Sequence, residues 1–259
     1  MDFTRQERCM AALLPSVLSR GSAKAMLMFS AIFFDLDDTL CDDAGASQRA
    51  VALACRRLRD SGAAVDVTAL ATAYITAATA LWTVDPLQLA GPVRRMRRQA
   101  WGTALAATGV DGALVDQVVD LYAHARRETY TLFPESLPLL RRLRAQGIHL
   151  GLITNGPADL QREKITMMGL ACEVDQLRIA GEEGVSKPDP AIFHRALHAA
   201  AIAPDRALMI GDSWEKDILA ARAVGMAALW ISSTSPTIRA AEPCVRHIRE
   251  VADWLAATR

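Results

Sequence analysis

The stretch Phe33-Phe34-Asp35-Leu36-Asp37-Asp38-Thr39-Leu40 sets two carboxylates two residues apart where an apolar run stops. Residues 31–34 are apolar and bulky enough for a buried strand, and Asp35 falls where that strand leaves its sheet. Alternation along an extended backbone sends Asp35 and Asp37 to the same side, so two acids face one site. Such a pair suits a reaction in which one carboxylate attacks an electrophile while the other handles a proton. Taken alone, the same residues also fit a solvated Asp-rich turn.

What must position these acids is a sheet. From residue 148 onward, strand patterns at 148–153, 177–180, 207–210 and 226–231 alternate with helical ones. The helix after Thr154-Asn155-Gly156-Pro157 runs to Gly169, placed as a C-terminal glycine cap; the helix at 190–201 has Asp189 as N-cap and Pro190 in its first turn. Further helices are expected at 214–224 and 245–257. This alternation predicts a parallel sheet covered by helices on both faces. Residues 44–130 read differently: they are Ala-rich, helical at 48–60, 67–81, 92–108 and 112–130, and carry no convincing strand. Trp82 and Trp101 read as core of this block. The expected fold is therefore α/β, a Rossmann-like parallel sheet core from residues 28–43 and 131–259, interrupted by an inserted α-helical cap at 44–130.

Functional residues of an open parallel sheet gather beyond the carboxyl ends of its strands. Asp35 and Asp37 follow the first strand, Thr154 and Asn155 the second; Lys187 lies in the Gly184-Val185-Ser186-Lys187-Pro188 loop, and Asp212 ends a later strand with Asp217 one turn on. Singly, each has a plainer reading: a solvated loop lysine for Lys187, a turn residue for Thr154, a helix-dipole partner for Asp217.

In this order, Asp35-Leu36-Asp37-Asp38-Thr39, Thr154-Asn155-Gly156, Lys187-Pro188 and Gly211-Asp212 with Asp217 resemble the haloacid dehalogenase-like (HAD) superfamily over the whole chain from Met28. The resemblance implies a Mg²⁺-dependent phosphatase: Asp35 attacks phosphorus to give an aspartyl-phosphate, and Asp37 protonates the leaving alkoxide and later activates water. It implies Mg²⁺ held by Asp35, the backbone carbonyl of Asp37 and Asp212, with Asp217 holding a metal-bound water or the ion itself. Thr154 and the Asn155 backbone would cradle phosphate oxygens, with Lys187 offsetting their charge. Residues 35–47 and Thr154-Asn155-Gly156 with 161–165 look like N-acylneuraminate-9-phosphatase and related sugar-phosphate or nucleotide phosphatases. The alternatives are a 2-haloacid dehalogenase, whose relatives lack the second Asp and need no metal, and a catalytically silent binding module, against which every core carboxylate is present.

The remaining sequence sets bounds. With 259 residues, 51% of them hydrophobic, the chain can build one large domain and a smaller one. Lys and Arg number 29 and so do Asp and Glu, which leaves no field for non-specific nucleic-acid binding. Five scattered cysteines suggest neither a disulfide framework nor a zinc site. Residues 1–27 imitate a short secretory signal, but Asp2, Glu7 and Pro15 argue against one, and translation from Met26 or Met28 fits better. The expectation is a cytoplasmic monomer or homodimer acting on a small phosphorylated metabolite, off the membrane, with residues 1–27 a dispensable extension. Arg94, Arg97 and Arg98 share a helical face that is either solvated or recognises a second anionic group on the substrate.

Overall fold

Four apolar residues, all buried, make strand β1 (Ala31–Phe34), as the centre of a parallel sheet requires. The computed structural model describes residues 28–84, 92–233 and 243–258; the extension expected at 1–27 and the side chain of Trp82 lie outside the described residues. After β1 come α1 (Asp43–Asp60), α2 (Val67–Val84), α3 (Val93–Ala107), α4 (Val115–Thr129) and α5 (Ser136–Ala145). Then follow β2 (His149–Thr154), α6 (Ala158–Met167), β3 (Gln176–Ile179), the single turn α7 (Ala180–Glu183), α8 (Pro190–Ala200) and β4 (Ala207–Gly211). The chain closes with α9 (Ala220–Ala223), β5 (Ala227–Ile231), β6 (Cys244–Val245) and α10 (Val251–Ala257).

The sheet runs β3-β2-β1-β4-β5-β6 with every pair parallel. Phe34, the last residue of β1, stands in register with Leu152 and Ile210, so β2 runs on past it to Thr154 and β4 to Gly211. Strand order reverses at β1, which makes its carboxyl end the switch point where such sheets place their sites. Ile32 and Phe34 point to the face covered by α5 and α10 through Leu139, Leu140, Leu143, Val251 and Leu255. Ala31 and Phe33 point to the face covered by Ile192, Phe193, Ala196 and Leu197 of α8.

Helices α1 to α4 form a third core, made wholly from residues between Ala50 and Ala125. The buried Ala46, Ala50, Val51, Ala54, Cys55 and Leu58 recur at three- and four-residue spacing, which gives α1 one apolar stripe. Asp42 caps that helix by accepting the Gly45 N–H. Trp101 is fully buried, stacked on Tyr74 at 4.0 Å between centroids and edge-on to Tyr122. The chain leaves the sheet layer and returns to it side by side: Asp42 N–H donates to Thr131 O, Phe133 N–H to Leu40 O, and the Ser136 hydroxyl to Leu40 O.

Two expectations need correction, and one helix was not expected. The helix expected at 245–257 begins only at Val251, because Cys244 and Val245 pair with Trp230 and Ile231 as a sixth strand. The helix expected at 214–224 is split into a π-helical turn, Trp214–Leu219, and α9. Helix α5 had no counterpart in the sequence reading. Among the described residues, no helix is long and apolar enough to cross a membrane.

Candidate active site

Asp35 continues the β1–β4 ladder by donating its N–H to Ile210 O at 2.9 Å, which fixes its carboxylate at the sheet's carboxyl end. Beyond it the backbone turns: the Leu40 and Cys41 N–H groups both donate to Leu36 O, and Asp38 adopts φ +59. Asp38 is held there by its carboxylate, which accepts the Ala44 N–H at 2.9 Å. Each acid has its own cation.

The cation of Asp35 is Lys187, whose Nζ donates at 2.6 Å to Asp35 Oδ1 and at 2.6 Å to Asp217 Oδ1. All three are buried, at 2%, 7% and 1% exposure for Lys187, Asp35 and Asp217. The lysine backbone is clamped by Asn155: Lys187 N–H donates to Asn155 Oδ1 and Asn155 Nδ2 donates back to Lys187 O. The Asn155 side chain thus ties the loops after β2 and β3 together, a role the sequence reading had not given it. The second oxygen of Asp217 accepts the Ser213 N–H at 3.0 Å. Its approach requires Gly211, since a β-carbon at that position would land on the Asp217 carboxylate. In the π-helical turn both Asp217 and Ile218 donate their N–H to Ser213 O.

Asp212 completes a cluster with Asp35 and Asp217 in which one oxygen of each lies within 4.8 Å of the others. Burial pushes the Asp35 carboxyl well above its usual range; Lys187 opposes this, and Asp217, Asp212 and Asp37 add to it. Burial and the neighbouring Asp217 and Asp38 push Asp212 up to about 6. Burial would lower Lys187, but Asp217 and Asp35 outweigh it and hold the ammonium above the ordinary lysine range. Three acids thus share one ammonium. An all-oxygen donor set with surplus negative charge fits a hard divalent cation such as Mg²⁺.

The cation of Asp37 is Lys164, on α6, which donates to both of its carboxylate oxygens at 2.8 and 2.9 Å and to Asp43 Oδ1 at 2.8 Å. Gln161, one turn earlier, donates through Nε2 to Asp37 Oδ2 at 3.1 Å and to Thr154 Oγ1 at 2.6 Å. Arg126, from α4, donates to Asp43 Oδ1 at 2.5 Å. Burial resists the ionisation of Asp43, yet Lys164 and Arg126 overcome it and hold the carboxyl below its usual range. Gln161, Lys164, Asp43 and Arg126 are site residues that sequence reasoning missed. Two signals were there: residues 35–47 and 161–165 belong to the stretches that carry the family resemblance, and the three-residue spacing of Gln161 and Lys164 sets both on one helical face.

Asp37, Asn155, Gln161 and Lys164 form the floor of a cavity of about 620 Å³ that is roofed by α2, α3 and α4 through Tyr74, Ile75, Met96, Arg97 and Tyr122. The three arginines that share one face of α3, Arg94, Arg97 and Arg98, part company there. Arg94 is paired with Asp116 and Asp120, and Arg98 with Asp116, all of them solvent-exposed. Arg97 is buried and lines the cavity.

Residues 29–225 match the haloacid dehalogenase-like hydrolase family. The chain belongs to that family. It is 33% identical over 241 residues to the phosphoserine phosphatase of Thermus thermophilus, a match spanning 85% of this chain and 96% of the relative. It is 28% identical over 208 residues to the N-acylneuraminate-9-phosphatase of Rattus norvegicus, spanning 79% and 83% of the two chains. The solved structure of a 2-haloacid dehalogenase from Pseudomonas syringae pv. Tomato DC3000 is 30% identical, with a TM-score of 0.64, covering 90% of this chain and 100% of that one. This member of the haloacid dehalogenase-like hydrolases is therefore an enzyme, and its resemblance to N-acylneuraminate-9-phosphatase extends over most of both chains.

Proposed function

We propose that this hydrolase is a Mg²⁺-dependent phosphatase of small phosphorylated metabolites that works through an aspartyl-phosphate on Asp35. The observation that carries the reading is Asp37, gripped by Lys164 and Gln161 on the cavity floor. Asp35 engages Lys187 through Oδ1 alone, which leaves Oδ2 without a partner among the described residues. Attack by Oδ2 on phosphorus forms the acyl phosphate as the ester P–O bond breaks, and the departing alkoxide takes its proton from Asp37, which Lys164 and Gln161 hold here as a carboxylate and which gains that proton from solvent before the step. The carboxylate left on Asp37 then takes a proton from water as that water attacks the acyl phosphate, releasing inorganic phosphate and regenerating Asp35. Lys164 and Gln161 position Asp37 through both steps. Lys187 offsets the repulsion between nucleophile and phosphate, while Thr154 and the Asn155 backbone hold phosphate oxygens. Mg²⁺ held by Asp35, Asp212 and the Asp37 carbonyl, with Asp217 in support, would supply the positive charge that a phosphate dianion needs. In this reading the helices of residues 44–130 are a cap over a core of 28–43 and 131–259.

The 2-haloacid dehalogenase among the structural relatives favours a second reading, nucleophilic displacement of halide. A halide leaves without a proton, so an acid positioned as Asp37 is would have no task. The test is a panel of phosphorylated metabolites and p-nitrophenyl phosphate, with Mg²⁺ and with EDTA. Turnover should require Mg²⁺ and vanish in Asp35→Asn, whose near-isosteric amide should preserve the melting temperature. Halide release from 2-chloropropionate in EDTA, with no phosphate ester hydrolysed, overturns the proposal.

A further inference from the structure

Arg97 is a buried charge that the chemistry above does not use. It is 8% exposed, and its guanidinium lies 5.2 Å from the Tyr122 ring centroid. Among the described residues it has no ion pair or hydrogen bond. The other buried cations of this cavity are committed, Lys164 to Asp37 and Asp43, and Arg126 to Asp43. A guanidinium keeps its proton in a protein, so Arg97 stays charged inside a largely apolar roof. Contact with an aromatic face offsets only part of the cost of burying that charge. The remainder is met when an anion enters the cavity, and a planar fork of N–H donors matches a carboxylate bidentately.

The cavity then holds two anion subsites of different character. Its floor has acids and lysines suited to a phosphate, whereas its roof offers, among the described residues, one guanidinium that is not already paired, Arg97, backed by Tyr122 with Tyr74 and Met96 lining the same cavity, since Arg126 is held by Asp43. One positive charge against apolar walls balances a carboxylate better than a second phosphate dianion. We infer that Arg97 reads a carboxylate on the organic part of the substrate, which makes the preferred substrate a small phosphate monoester that carries a carboxylate. This inference rests on the phosphatase reading.

A matched pair of esters tests it: 3-phosphoglycerate and glycerol 3-phosphate differ at the carboxylate and share a skeleton. The wild-type chain should favour 3-phosphoglycerate in kcat/KM by about tenfold or more, and Arg97→Gln should erase most of that ratio through KM, the signature of lost uniform binding. Arg97→Lys, which keeps the charge without the fork, should recover part of the ratio and carries the test if Arg97→Gln melts early. Arg98→Met, which removes only an exposed ion pair, should leave the ratio unchanged. Wild-type turnover of p-nitrophenyl phosphate decides the phosphatase reading separately. Calorimetric titration of 3-phosphoglycerate into Asp35→Asn, with and without Arg97→Gln, decides the carboxylate subsite whether or not turnover is seen; a tenfold or larger loss of affinity is expected. No preference between the two esters, equal losses on both in Arg97→Gln, or an Arg97 dependence shown only by propane-1,3-diol bisphosphate each overturns the carboxylate assignment.

Discussion

Replacing Gly211 by alanine adds one methyl group and should cost this protein more than most core truncations. The backbone is not the obstacle: Gly211 pairs with Trp230 in the ordinary β4–β5 register and is not among the glycines with positive φ. The new carbon would instead occupy the space of the Asp217 carboxylate. Asp217 must swing away, breaking its ion pair with Lys187 and the hydrogen bond from Ser213. Because Asp217 and Lys187 are 1% and 2% exposed, solvent screening does not soften the loss. Separating one partner of a buried pair costs about 3–5 kcal/mol. For a chain of this size that corresponds to a fall in melting temperature of roughly 6–20 °C, at about 2–4 °C per kcal/mol. Thermal and urea unfolding in EDTA measure the cost, and a double-mutant cycle with Asp217→Gly, which removes the β-carbon as well as the carboxylate, assigns it. The three atoms nearest the added carbon are Oδ2, Cγ and Cβ of Asp217, and Asp217→Gly removes all of them, so Gly211→Ala should cost much less in the Asp217→Gly background than in wild type. Melting of Gly211→Ala within about 2 °C of wild type, or additive costs across the cycle, would refute the reasoning.

Asp37→Ala should slow phosphate ester hydrolysis by roughly 10² to 10⁴, the usual worth of a positioned acid–base group; steady-state kinetics showing an unchanged kcat would remove Asp37 from the chemistry. Asp43 is held below its usual 3.8, so it contributes stability above that pH, and the contribution fades as pH falls through its lowered folded-state value. Urea midpoints taken from neutral pH down to about pH 3 should therefore fall less steeply for Asp43→Asn than for wild type, and parallel curves would contradict the Lys164–Asp43–Arg126 assignment. A chain starting at Met28 should melt within a few degrees of full length and keep its catalytic efficiency, since every site residue lies beyond it; insolubility or a large loss of stability would give residues 1–27 a structural task.

The sheet was legible because its strands are short apolar runs that end in Asp, Thr-Asn or Gly-Asp, with helical patterns between them. Strand β6 was not, since two residues hold no period and only pairing with Trp230 and Ile231 makes them a strand. Helix α5 was missed although its buried Ser136, Leu139, Leu140 and Leu143 have helical spacing. Among site residues, the acids and Lys187 stand at strand ends or in short loops where position carries meaning. Gln161 and Lys164 sit within a helix whose pattern resembles any amphipathic surface; only the approach of Asp37 from residue 37 turns them inward. The arginines of α3 show the limit most clearly. Spacing places Arg94, Arg97 and Arg98 together, and whether a charge faces solvent or cavity was settled by Asp116 and Asp120 on the next helix.

The position of β1 has a consequence for how this protein is made. Among the described residues, the first strand to leave the ribosome is a central strand of the finished sheet, and its neighbours are β2 and β4. About 115 residues separate Phe34 from His149, and translation at ~5–20 residues per second takes roughly 6–23 s to cross them. The helices of residues 43–129 need no sheet residue for their core, so they can pack during that interval while Ala-Ile-Phe-Phe waits with both strand edges unsatisfied. Asp35 waits longer, because Lys187 lies 152 residues downstream. Nascent chains should therefore bind a holdase chaperone through this strand until β2 is released, and a chain stalled between α4 and β2 should be the most aggregation-prone intermediate of its synthesis.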